Sequence, residues 1–458
     1  MLETVLRGAL VATGDSVSRC DIGIVNGTVA ALGHRLEGDT VLDCAGLIIV
    51  PGAIDVHTHF ETKLGDLATA DDYESGSRAA ALGGITTYLN YAFQDQGRSL
   101  ADALAREQGL AEGRSYIDYG FHPLITDPAD EVLEEIPRLR ELQATSVKIF
   151  MAVPGLQMPD RTILRVLAAA AGAGLLVNVH AEDGAIIEHE TQRLRDEGAA
   201  AMEAISVARP VAAEALAITK VATFARVTAC PLYIVHLSSA AGLAAVAAAR
   251  RAGTKTFVET RPAYLYLDNE RYRLPDPDAR QFTCWPPLRT PGDQHALWDA
   301  LADGAIQTYA TDHTTYMAAD KTDPSLDFAT VPGGVSNVQT SIGMLYSRGV
   351  RTGRLSLSRY VAAISTNPAR LFGMWPRKGT IAVGSDADFT IIDPHRTVRI
   401  ETSKMASRSD FDPYDGMQET GWPVMTISRG EVIVEDGRLV GPPTHGRLVP
   451  RDGMCAQL

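Results

Sequence analysis

Long apolar runs are missing from this chain. Nothing in it approaches the roughly 20 consecutive apolar residues of a membrane-spanning helix, so no membrane partner is expected. Positive charge is also in short supply. There are 42 Lys and Arg against 56 Asp and Glu, a formal net charge of -14 at pH 7, and no long basic run. That balance argues against a nucleic-acid partner or an anionic membrane surface. The 5 cysteines, Cys20, Cys44, Cys230, Cys284 and Cys455, show no CxxC spacing and no disulfide framework. Reduced thiols in a cytoplasm are the expectation. The opening residues MLETVLRGALVATGDS lack a long apolar h-region and carry an early acid, which reads as a first strand and not as a signal peptide. Low-complexity linkers and short-period repeats are absent as well.

What is present is an ordinary globular composition, 45% hydrophobic and 21% charged over 458 residues, enough for about two or three domains. Both ends have the texture of short strands and tight turns. DIGIVNGTVAALG holds two strands around Asn26-Gly27, and VMTISRGEVIVEDGRLVG turns again at Asp436-Gly437. The middle alternates apolar strands with Ala-rich helical stretches such as DRTILRVLAAAAGAG and SAAGLAAVAAARRAG, the rhythm of a parallel barrel. The expected fold is α/β: a (β/α)8 TIM-like barrel over residues 51–373. A small β-sandwich beside it is built from both chain ends, residues 1–50 and residues 374–458 with the tail.

Several of the barrel runs end in a metal-binding side chain. LIIVPGAIDVHTH carries His57 and His59, ATSVKIFM Lys148, GLLVNVHAE His180, PLYIVHLSS His236, and IQTYATDH Asp312. The carboxyl ends of barrel strands are where such folds place their active sites. Two histidines two residues apart on a strand point to one face and can reach one metal. An isolated HxH pair is equally well explained by two partly buried structural histidines. Four histidines and an aspartate at equivalent strand ends are hard to explain by core packing.

Lys148 is the odd member, because an ammonium has no lone pair for a cation. A surface lysine is the plain alternative, but SVKIF sets it within a strand. Carboxylation of its amine by CO2 gives an anion with two oxygens, able to bridge two cations as two-metal hydrolases require.

Here the motifs become specific. PGAIDVHTHF, TADDYESGSRAAALGGITT, SVKIFMA, VNVHAEDG, PLYIVHLSS, PPLR, TDH, NPARLFGMWPRKGTIAVGSDADFTIIDP and GMQETGWPVMTISRGEVIVEDG resemble, nearly end to end, the dihydropyrimidinase and D-hydantoinase family of cyclic amidohydrolases. The resemblance implies a metal-dependent barrel with a flanking sandwich, assembled as a homotetramer or homodimer. It implies two divalent metal ions, Zn2+ or else Mn2+, Co2+ or Fe2+. His57, His59 and Asp312 would hold the buried one, His180 and His236 the more exposed one, and carboxylated Lys148 would bridge them. A metal-bridging hydroxide would attack the ring carbonyl of a small cyclic amide or ureide. Asp312 would take its proton and return it to the leaving nitrogen. The implied activity opens a 5-substituted hydantoin or dihydropyrimidine to an N-carbamoyl amino acid. The alternatives are a relative acting on allantoin, dihydroorotate or a cyclic imide, a mononuclear hydrolase with unmodified lysine, and a non-catalytic assembly protein. Retention of all six metal-site residues weighs against the last.

The departures from the family pattern concern substrate contacts. Val153 stands where the pattern has a carbonyl-holding tyrosine, Trp285 where SPP has serine, and Gly333 where PNG has asparagine. At the last two the family uses main-chain groups. ETRPAYL brings in Arg261, and Lys63 lies in the stretch after His59 where gating residues are expected. A pair of cations there favours an acidic side group on the substrate, but a solvated position is the plainer expectation for both. Tyr88, Tyr91, Tyr264 and Tyr316 are candidates to replace the missing donor, with core packing as the default for each. His34, His189, His295, His395 and His445 read as surface residues, His122 as a residue at the barrel mouth, and His313 as pointing away from Asp312.

Overall fold

The computed structural model describes residues 1–65 and 67–454, so Cys455 lies outside the described residues. Eight parallel strands form the core: β1 (Ala53–Thr58), β2 (Ile85–Phe93), β3 (Asp118–Leu124), β4 (Ser146–Phe150), β5 (Leu176–His180), β6 (Leu232–Ile234), β7 (Thr256–Thr260) and β8 (Thr308–Tyr309). Each pairs with the next in chain order, and a Thr58–His313 bridge with a His59 N–H to His313 carbonyl bond at 3.0 Å brings the last strand back to the first. Strands covered on both faces read as near-continuous apolar runs, and most of these are buried along their whole length. The helices between them turn one apolar stripe inward. In Asp160–Ala173 that stripe is Ile163, Val166, Leu167 and Ala170, and Gly174 stops the helix at φ 65°. Phe372 seals the lower end of the barrel, its ring 4.9 Å from His122 and 5.1 Å from Tyr233.

The chain ends build two sheets packed through Leu6, Val11, Ile22, Ile24, Ile49, Phe389, Ile391 and Ile427. One sheet uses N-terminal strands alone. In the other, Ile48–Pro51 lies between Phe389–Arg399 and Leu10–Ala12, so the two ends share one sheet. Asn26 and Gly27 take φ 48° and 72°, Asp436 and Gly437 take 46° and 71°, as two-residue hairpin turns require.

An ion cluster ties the sandwich to the foot of the barrel. Lys378 Nζ lies 2.8 Å from Asp118 Oδ2 and 3.2 Å from Asp386 Oδ2, and it also pairs with Asp388, while Arg429 pairs with Asp118. The three carboxylates converge closely enough to hold a cation. The buried ammonium contacts all three and Arg429 adds a second positive charge at Asp118, so the described cluster is an internal salt-bridge hub that already holds its own cations. Among the described residues no helix is long and apolar enough to cross a membrane, and Cys20, Cys44, Cys230 and Cys284 are free thiols.

Candidate metal centre

Six side chains from five strand ends meet above the barrel core, all of them buried. His57 Nε2 and His59 Nε2 lie 3.1 Å and 3.3 Å from the same Asp312 oxygen, Oδ1. The other nitrogen of His57, Nδ1, lies 2.5 Å from Glu259 Oε1. That carboxylate also accepts from the His236 backbone N–H at 2.9 Å and the Tyr233 hydroxyl at 2.9 Å. A proton on Nδ1, shared with Glu259, leaves the Nε2 lone pair free, which is how metal-binding histidines are usually oriented. The second group is His180 Nδ1 and His236 Nε2, 3.0 Å apart. His180 Nε2 turns the other way, 2.8 Å from Glu182 Oε2, and Glu182 is paired in turn with Arg209. The His57 and His236 ring centroids are 5.6 Å apart, so the two groups adjoin. His236 and Asp312 hold φ of 41° and 50°, a conformation that costs free energy outside glycine and that gathers at functional sites.

Lys148 lies in β4 beside Asn178 of β5, its Nζ 5.1 Å from the Tyr91 ring and 4.9 Å from the Phe150 ring. Its charge is felt by His59, His180 and His236, one member of the first group and both of the second. Burial pulls the amine down to about 7 despite the attraction of Glu259 and Asp312. Burial also lowers His59 and His180 to about 4 and His236 well below its ordinary value. His57 differs. Burial acts against its charged form, but Glu259 and Asp312 overcome this and raise it to about 9. A cation at Nε2 would take that proton's place.

His57, His59 and Asp312 fit a divalent cation. One ligand atom from each of His57, His59 and Asp312 lies within 4.8 Å of the other two, and the donor set suits transition metals. Buried His59 Nδ1 and His236 Nδ1 have no hydrogen-bond partner, so neither ring is locked into a competing structural role.

Arg261 is a correction to the solvated position expected for it. It is 1% exposed, its Nη1 donates to Asp312 Oδ2, and its Cζ lies 4.6 Å over the Tyr264 ring. Burial opposes the negative charge of Asp312, but His57 and Arg261 overcome it and hold the carboxyl well below its usual range. The signal was in the sequence: Arg261 follows Glu259 by two, the period at which strand side chains share a face. Lys63 is exposed, in keeping with the solvated expectation.

Val153 sits past the end of β4 at φ 95°, an outlier for a β-branched residue. Its side chain packs with Tyr91, Leu124 and Phe150 and offers no donor. Tyr88 and Tyr264 bond to Ser115 and to the Pro286 carbonyl, as core residues do. Tyr91 lies at the centre, its ring 4.8 Å from that of His57 and 5.2 Å from that of His59. Tyr316 is buried near Asp312. Trp285 and Gly333 are partly exposed, in the connections that follow β7 and β8.

Two histidines differ from expectation. The His445 side chain is only 7% exposed and contacts Glu431, so it is not a surface residue. His122 is fully buried within the barrel, between Ser146 Oγ at 2.5 Å and the Val56 carbonyl at 3.1 Å, and not at its mouth. His313 does turn from the centre. Its Nε2 reaches Asp71 at 2.9 Å, while Nδ1 accepts from the Asn337 and Val338 N–H groups at 3.0 and 3.1 Å. The residues missed by sequence reading are Glu259, Glu182 and Arg209, which orient the histidines. An acid in the apolar run FVET, and another two residues after His180, were the available signs.

Comparison with known proteins gives the family of the chain. The model of the amidohydrolase family matches residues 48–433. A D-hydantoinase of Ralstonia pickettii is 38% identical over 453 residues, 98% of this chain and 99% of its own. A D-phenylhydantoinase of Escherichia coli O1:K1 is 36% identical over 456 residues, 98% of both chains. The crystal structure of dihydropyrimidinase from Brevibacillus agri NCHU1002 superposes with a TM-score of 0.97 at 35% identity, covering 100% of both chains.

Proposed function

The chain belongs to the amidohydrolase family, and from that premise we propose that it opens the ring of a 5-substituted hydantoin or a dihydropyrimidine to an N-carbamoyl amino acid. The reaction class is hydrolysis of a C–N bond in a cyclic amide, with divalent metal. The observation that carries the reading is the convergence of His57 Nε2 and His59 Nε2 on Asp312 Oδ1 beside the His180–His236 pair. His57, His59 and Asp312 would hold one cation, His180 and His236 the other. Zn2+ is the first choice, with Mn2+, Co2+ or Fe2+ as alternatives. Bound there, the cations would lower the pKa of water and draw electron density from the ring carbonyl.

Lys148 would join the two groups as a carbamate. With its ammonium destabilised to about 7, much of the amine is unprotonated at neutral pH. Its Nζ lone pair forms a bond to the carbon of CO2, one Nζ proton is released, and an anion with two oxygens results. A mass gain of one CO2 on intact protein would test this. Asp312 accepts the proton of the attacking water and delivers it to the ring nitrogen as the C–N bond breaks. Arg261 on Oδ2 keeps Oδ1 for the centre. Main-chain groups at 285 and 333 would hold the ring amide, since Val153 cannot donate. A homotetramer or homodimer working in a cytoplasm completes the reading, supported by family likeness and free thiols.

The test is a ring-opening assay on metal-loaded enzyme with dihydrouracil, alkyl- and aryl-hydantoins, allantoin, dihydroorotate and succinimide. Turnover of hydantoins or dihydrouracil is expected. Buried Arg261 and apolar Val153 favour a second reading, a relative acting on allantoin, dihydroorotate or a cyclic imide, and turnover confined to those rings would establish it.

A further inference from the structure

Two departures from the family pattern touch each other. A Cβ on Gly333 would lie 2.8 Å from Trp285 Cδ2 and 2.9 Å from Cγ, well inside the roughly 3.5–4.0 Å of packed carbon atoms. Gly333 is not among the positive-φ residues, so its backbone does not require glycine. The indole does. Nor can the indole withdraw easily, because its loop is pinned to the Gly333 loop. Thr283 O accepts from Gly334 N at 2.9 Å, and buried Lys321 Nζ bridges Thr283 O at 3.1 Å and Gly334 O at 2.5 Å. On the metal side, Arg209 Cζ lies 5.0 Å from the indole ring, and Arg209 is paired with the Glu182 that orients His180. An indole in place of a serine side chain fills space beside Arg209, and a residue at 333 with any side chain would collide with it.

We propose that Trp285 and Gly333 are one specificity element: the indole, seated on Gly333 and backed by Arg209, walls the pocket and restricts the ring substituent to small groups. The inference rests on the ring-opening reading above. The test measures kcat/KM for unsubstituted, 5-methyl- and 5-phenylhydantoin, and Tm, in wild type, Trp285→Ser, Gly333→Asn and the double variant. Trp285→Ser is expected to raise the phenyl-to-unsubstituted ratio about tenfold or more, the scale on which apolar pockets discriminate size. Gly333→Asn alone is expected to lose about tenfold on every ring and to lower Tm, whereas in the Trp285→Ser background it changes activity by less than about threefold, the mark of coupled neighbours. Should Trp285→Ser fail to fold, the double variant carries the ratio measurement. An unchanged ratio with active wild type, or equal losses from Gly333→Asn in both backgrounds, overturns this inference alone. Wild type that opens no ring overturns it together with the functional reading.

Discussion

Among the described residues, two buried clusters each bring metal-capable side chains within reach of one another, one at the top of the barrel and one at its foot. At the foot, Lys378 reaches the carboxylates of Asp118, Asp386 and Asp388 and Arg429 reaches that of Asp118, so most of their charge is offset from within. At the top, the nearest cations are Lys148, whose ammonium burial destabilises, and Arg261, which takes only one oxygen of Asp312. Lone pairs of His57, His59, His180 and His236 are left facing a common space. Proximity of ligands therefore does not make a metal site. What separates the two is whether the protein supplies its own counter-charge.

The sharpest way to break the comparison is Asp312→Asn. If the carboxylate is both ligand and proton carrier, activity falls by about 10²–10⁴-fold, and Tm of the metal-free protein drops as well, because buried Arg261 loses its counter-charge. Metal analysis of the loaded variant separates the two roles. Full activity with both metals bound would remove Asp312 from the mechanism.

Lys378→Met tests the opposite end. Withdrawing the ammonium leaves buried carboxylates uncompensated, a loss of about 3–5 kcal/mol in similar pairs, read as a large drop in Tm or in the denaturation midpoint. With the counter-charge withdrawn, the surviving folded protein should take up a divalent cation at the foot that wild type does not. Unchanged metal stoichiometry would show that counter-charge alone does not separate the clusters.

The difference between the clusters was only half visible in the sequence. His57 and His59 declared themselves by strand period, and the strand-end positions of Lys148, His180, His236 and Asp312 by the βα rhythm. Arg261 was read as solvated because arginines usually are, although its two-residue spacing from Glu259 carries the side period of β7 one residue past the strand's end. The foot cluster was illegible. Asp118 and Lys378 are 260 residues apart, and nothing local in DYGF or RKGT announces a partner across the domain junction. The same holds for Arg209 and Glu182, and for the Trp285–Gly333 contact. Each joins segments brought together only by barrel closure or by loop packing over it. Likewise the hairpins at Asn26-Gly27 and Asp436-Gly437 followed from local turn chemistry, whereas the pairing of Ile48–Pro51 with Phe389–Arg399 depends on the whole fold.

Arg261→Cys, which removes the guanidinium, sharpens the comparison at the top. Loss of the donor to Asp312 Oδ2 should weaken metal binding or activity by about 10- to 100-fold, the usual effect of removing a group that orients a ligand. Competition titration with a chromophoric chelator would read the affinity directly. Arg261→Lys, which keeps the charge but not the fork, should recover part of it. Tighter metal binding in Arg261→Cys would mean that the arginine competes with the cation and does not help to place its ligand.

The smallest effect expected is a pH dependence at the foot. Burial raises the Asp118 carboxyl, but Lys378 and Arg429 outweigh it and bring it down to about 2. A carboxyl depressed on folding contributes stability above its unfolded value near 4. That contribution is lost as pH falls through about 2. Asp388 works the other way, since burial raises its carboxyl, so the net change is of order 1–2 kcal/mol. The Tm difference between wild type and Asp118→Asn should accordingly shrink as pH is lowered from 5 to about 2. A difference that stays constant across that range would mean that Asp118 is not held ionised by its partners, and the claim that the charge of the foot cluster is offset from within would fall with it.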